Sequence, residues 1–167
     1  MPTNRIELRQ EIFESDAWRI AAWLEDYDVA RFLNEEQNIS EVIRQTIHRV
    51  NMPVLTPLFN RGSSFFMITH NEQPIGFLKL IPKGEEAELV IVIGDKNKWG
   101  RGLGHNAICQ GLKHAFFTLR NSKVIAKIKK ENERSKKVFK KAGFQVEKAL
   151  EKEIKYNISK EQYLKLA

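Results

Sequence analysis

Apolar and polar positions divide the chain into segments of two periods. Ile6-Glu7-Leu8-Arg9 alternates, which predicts a first strand. After Ser15, a candidate cap, Ala17, Ala21 and Leu24 recur at helical spacing with Trp18 beside them, predicting a helix to about Asp26. Ser40 offers a second cap, followed by Ile43, Ile47 and Val50 on one face and by Met52-Pro53 as a stop. Ser64 to Thr69 and Ile75 to Ile81 read as the two arms of a hairpin, joined by the turn residues Asn71-Glu72-Gln73-Pro74. Pro82 to Glu86 reads as another turn. Ala87 to Ile93 is almost continuously apolar, as expected of a strand covered on both faces.

The second half begins with a glycine-punctuated junction, Trp99-Gly100-Arg101-Gly102-Leu103-Gly104. Beyond it, Leu103, Ala107, Ile108, Gly111, Leu112, Ala115, Phe116 and Leu119 fit one face of a long helix. Val124 to Ile128 is strand-like. Asn132 can cap a helix ending near Ala142, with Gly143 placed as its C′ residue. Two short strands, about Gln145–Ala149 and Glu153–Tyr156, close the pattern, and Ser159 opens a terminal helix. This order gives an α+β chain, a mixed sheet with helices packed on it.

At 167 residues the chain suggests one domain, residues 1–167, with room for a core. No apolar run approaches the roughly 20 residues that cross a bilayer, and the start, Met1 to Arg5, lacks a secretory core, so the expected compartment is the cytoplasm. The single cysteine, Cys109, falls in the helical apolar pattern and reads as a buried small hydrophobe. The net charge of +7 is unevenly split: residues 1–95 carry 9 Lys and Arg against 15 Asp and Glu, and residues 96–167 carry 19 against 6. An anionic partner suits the second half and a cationic one the first.

A strand entering Gly-x-Gly-x-Gly and then a helix presents backbone N–H groups at a positive helix end, a site suited to phosphate. A P-loop is excluded because Gly104 is followed by His105-Asn106 rather than Lys-Ser/Thr. A dinucleotide fingerprint is excluded by spacing one residue too short, and by the lack of an acid at Ile128-Lys129. The stretch from Glu88 to Gly104 instead resembles the acetyl-CoA signature of GNAT superfamily acetyltransferases, with Trp99 at a position usually held by Gln or Arg. Asn132-Glu133-Arg134-Ser135 and Gly143-Phe144 resemble the downstream segment of the branch that acetylates ribosomal-protein N-termini, as do Leu8-Arg9 and Trp23 to Asp26.

The resemblance implies a GNAT fold, a central mixed and mostly antiparallel sheet with splayed strands flanked by helices. It implies acetyl transfer from acetyl-CoA to a primary amine, either a small cationic amine or a peptide N-terminus, by direct attack and without a metal. Val92 and Ile93 would meet the pantetheine arm, and Trp99, Gly100, Arg101, Gly102, Leu103 and Gly104 the pyrophosphate. Asn132, Lys136 and Phe139 would complete the cofactor site, with Lys136 and Lys137 nearest the phosphates. Ser135 and Asn132 are the candidates around the thiol. Phe139 stands where many members carry a tyrosine acid and cannot donate a proton. Glu88 is the candidate base or amine-aligning carboxylate. The four histidines, His48, His70, His105 and His114, read as surface or structural.

The acidic residues Glu25, Asp26, Asp28, Glu35, Glu36 and Glu41, opposed by Arg31, would form an acceptor wall attracting cations. The alternative to an enzyme is a non-catalytic CoA- or RNA-binding module using the basic tract from Lys127 to Lys141. Few aromatics interleave in that tract, which argues against nucleic acid. Membrane association is not expected. Homodimers are frequent in the family.

Overall fold

The computed structural model describes residues 5–33 and 38–166. Of the sequence expectations, those on residues 1–4 and on Glu35 and Glu36 lie outside this range. Strand β1 (Ile6–Arg9) leads into α1 (Glu14–Glu25), the short α2 (Tyr27–Ala30), α3 (Ile39–Val50) and the short α4 (Thr56–Phe59). Strands β2 (Ser64–His70), β3 (Gln73–Lys83) and β4 (Glu86–Ile93) form a meander. A 3-10 turn at Lys96–Lys98 and helix α5 (Leu103–Lys113) follow. Strand β5 (Lys123–Lys129), α6 (Glu133–Lys141), the hairpin β6 (Gln145–Ala149) and β7 (Glu153–Ser159), and α7 (Lys160–Leu166) complete the described chain.

The seven strands form one sheet in the order β1-β2-β3-β4-β5-β7-β6. All neighbours are antiparallel except β4 and β5. A large apolar cluster packs α5 and α6 against one face through Leu78, Leu80, Leu89, Ile108, Leu112 and Ile128. A second covers the other face, joining Ile20 of α1 to Phe65, Met67, Phe77 and Val92. The central strands are thus covered on both sides, as the run from Ala87 to Ile93 predicts.

Several local expectations are corrected. Helix α1 is capped at Phe13, not Ser15: buried Asp16 accepts the Phe13 N–H at 2.9 Å and takes both Arg9 nitrogens at 2.8 and 3.1 Å. Ser40 lies inside α3, whose cap position is Asn38. Pro82 stays in β3, because β2 pairs no further than Leu80 and no partner on that edge needs the missing N–H. Helix α5 does not continue regularly to Leu119: His114–Thr118 forms a π-helical turn closed by Leu119 N–H on the His114 carbonyl. The extra residue shifts the helical phase, so Phe116 is buried while Leu119 is 41% exposed.

Candidate active site

Strands β4 and β5 pair only at Glu86–Lys123, Ala87–Val124 and Glu88–Ile125. Beyond Glu88 the two diverge, opening a slot at the centre of the sheet. Gly94 donates its N–H to the Ile75 carbonyl on the β3 side. Strand alternation therefore directs the polar backbone groups of Ile93 and Ile91 toward the slot and those of Val92 toward β3. Of the two residues expected to meet a pantetheine arm, Ile93 has its backbone on the open edge. Val92 contributes a buried side chain to the wall instead.

The tip of β4 carries a contact that sequence reasoning missed. The Trp99 indole N–H donates to the Ile93 carbonyl at 2.7 Å, folding the loop back over the strand end. Gly102 is the N-cap residue of α5 and adopts the left-handed conformation at φ +75°, with no side-chain cap for the first-turn N–H groups. A side chain at Gly102 would project into open space rather than into the protein. The expected loop residues Trp99, Gly100, Arg101, Gly102, Leu103 and Gly104 all line one cavity with Val92 and Ile93. An uncapped, positively polarised helix start opening on that cavity fits a pyrophosphate.

Helix α6 supplies the opposite wall. Asn132 is its cap, accepting the Ser135 N–H at 3.2 Å and donating its amide to the Ser135 hydroxyl oxygen at 3.1 Å. With that oxygen already accepting, the Ser135 O–H is oriented by Asn132 and can donate into the cavity that both residues line. Phe139 is 3% exposed, packs edge-on against Phe144 and closes the cavity floor. Lys136 is not in the cavity lining, and its ammonium pairs with Glu133 at 3.0 Å. Arg134, absent from the expected set, lies 3.6 Å over the Trp99 ring.

Glu88 occupies the branch point of the slot on the face opposite α5. Its carboxylate stands 3.9 Å from both Lys83 and Lys127. Of the expected acidic wall, Glu25, Asp26 and Asp28 are engaged in ion pairs, while Glu35 and Glu36 lie outside the described residues. Arg44 grips Glu25 through two contacts at 2.6 and 3.0 Å, and Lys96 bridges Asp26 and Asp28 at 3.0 and 3.3 Å. Those hydrogen bonds hold the Glu25 and Asp26 carboxyls below their usual range and raise the pKa of Lys96. On this side the cavity wall is apolar, built from Val29, Phe32 and Leu33. Of the histidines, only His105 reaches the cavity, beside Cys109 at 3.7 Å. Burial raises the Cys109 pKa, which keeps the thiol protonated. The described residues hold no group of three metal-ligating side chains and no helix long and apolar enough to cross a membrane.

Residues 5–145 match the model of the acetyltransferase (GNAT) domain, so the chain belongs to that family. The structure is similar to that of a domain from Methanocaldococcus jannaschii, at 21% identity over 94% of this chain and 99% of the other, with a TM-score of 0.76. It is also similar to the aminoglycoside acetyltransferase AAC(6')-Ib in complex with coenzyme A, at 15% identity over 96% and 98%, with a TM-score of 0.77. A third similar structure is spermidine N-acetyltransferase from Vibrio cholerae with CoA and spermine, at 19% identity over 95% and 98%, TM-score 0.76. No curated protein sequence matches the chain. These likenesses establish the GNAT fold expected from the sequence.

Proposed function

We propose that the chain, as one domain over residues 1–167, is an acetyl-CoA-dependent N-acetyltransferase acting on a primary amine. The observation that carries this reading is the strand slot beginning at Glu88–Ile125, where it meets the uncapped α5 start and the Ser135 hydroxyl. Family membership supports it, as do the similar folds of enzymes named for aminoglycoside and spermidine acetylation.

Acetyl-CoA supplies the acetyl group as a thioester. The first-turn N–H groups of α5 hold the pyrophosphate, and the Ile91 and Ile93 backbone edge aligns the arm. Apolar Val29, Phe32, Leu33 and Val92 exclude water, which protects the thioester and strengthens polar contacts at the reacting centre. Ser135, held in place by Asn132, donates a hydrogen bond to the departing sulfur, and the thiolate takes up the proton that the amine sheds on attack, carried by water. Glu88 acts from the far side of the slot, through water or by aligning the amine. Lys83 and Lys127 flank its carboxylate there. Holding the two reactants together in one geometry contributes to the acceleration.

For the acceptor, the similar enzymes favour a small polyamine or aminoglycoside. The motif resemblance to the ribosomal-protein branch brings in a peptide N-terminus. Thiol release from acetyl-CoA, measured across aminoglycosides, polyamines, amino acids and short peptides, tests the proposal. At least one amine must give thiol and acetylated product in equal amounts. Stabilisation of the protein by an RNA pool, with acetyl-CoA and CoA giving none, would sink the enzyme reading.

A further inference from the structure

The cavity between the α5 start and α6 is lined by Lys98, Arg101 and Arg134 and, among the described residues, by no carboxylate. Of the three, Arg134 is the one set on a platform. The indole beneath it is pinned by its own hydrogen bond to the Ile93 carbonyl, and the guanidinium lies 3.6 Å above that ring. Stacking occupies the π-face of the guanidinium and leaves its in-plane N–H donors at the edges, in the fork geometry that matches phosphate oxygens.

Its place in the helix is unfavourable without a ligand. Arg134 follows Glu133 in the first turn of α6, where a cation opposes the helix dipole. Glu133, the acid that suits that position, pairs with Lys136 instead. Arg134 has no ion-pair partner among the described residues. An anion in the cavity would offset both costs.

We propose that Arg134, stacked on Trp99, is a binding residue for the CoA pyrophosphate, facing the α5 amides across the cavity and replacing Lys136 in that role. This rests on the acetyl-CoA reading above. The test compares Arg134→Ala and Arg134→Lys with the unmodified protein, measuring affinity for CoA, dephospho-CoA and pantetheine by calorimetry and by competition.

The expected result is that Arg134→Ala weakens CoA and dephospho-CoA equally, by about tenfold to a hundredfold, and leaves pantetheine unchanged. Arg134→Lys, which keeps the charge but loses the fork, falls between. Unchanged CoA affinity in Arg134→Ala would overturn the proposal. So would a loss confined to CoA, which would put Arg134 at the 3′-phosphate, or an equal loss for pantetheine, which would make its role structural. Failure of the folded, unmodified protein to bind CoA at all would instead overturn the acetyltransferase reading.

Discussion

Among single residues, the proposed chemistry depends on where one hydroxyl proton points. Asn132 fixes Ser135 through both its amide atoms, so the cap of α6 and the orientation of the candidate hydrogen-bond donor are one arrangement. Ser135→Ala is expected to lower kcat by about tenfold to a hundredfold, because a thiolate leaves readily without full protonation. Its affinity for acetyl-CoA should stay near that of the unmodified protein, as steady-state kinetics with calorimetry would read. Asn132→Ala should cost about 1 kcal/mol in urea unfolding as a lost cap and should also slow turnover. The cap was legible because it acts over three residues. Lys96 binding Asp26 and Asp28 was not, because the partners lie about seventy positions apart and meet only through the fold. A shorter gap, about thirty-five positions, likewise hid the stack of Arg134 on Trp99.

At the scale of elements, periodicity located the main strands and longer helices but not the ties between them. The Arg9–Asp16 pair joins β1 to the first turn of α1, with the carboxylate 1% exposed. Removing it strands a half-buried guanidinium, so Asp16→Ala should destabilise by about 2–4 kcal/mol in urea unfolding. The phase slip at the π-helical turn was hidden for a related reason: one inserted residue leaves the apolar spacing almost unchanged while moving Leu119 to the surface. That turn also holds His114, edge-on to Phe66 at 4.9 Å. Burial lowers the pKa of His114 and, with Lys98 and Arg101 adding to it, that of His70. For a histidine depressed in the folded state, stability is complete above the ordinary value of about 6.5 and is lost as pH falls through the folded values. Tm should therefore drop between pH 7 and 5, and His114→Phe, which keeps a ring against Phe66, should flatten part of that decline.

Across the whole molecule, the antiparallel strands β1 to β4 join a second antiparallel group, β5-β7-β6, through one short parallel contact between β4 and β5, and the slot exists because that contact stops at Glu88. Element order and the glycine loop made the fold and the donor side readable in the sequence. Charge counting along the chain did not show that Arg44 and Lys96 engage Glu25, Asp26 and Asp28, nor that the cavity wall on that side is apolar. The basic second half is likewise divided: Lys127, Lys129 and Lys136 pair with Glu88, Glu153 and Glu133, and Arg134 turns to the cavity. In the proposed reaction the helix start at Gly102 holds the pyrophosphate of acetyl-CoA. Gly102 sits at φ +75° with open space before it, so Gly102→Val would strain the backbone and fill the proposed anion site. Calorimetric titration of acetyl-CoA into the unmodified protein and into folded Gly102→Val tests this most directly. One-to-one binding that Gly102→Val abolishes is the predicted result; equal affinity in the two proteins would contradict it.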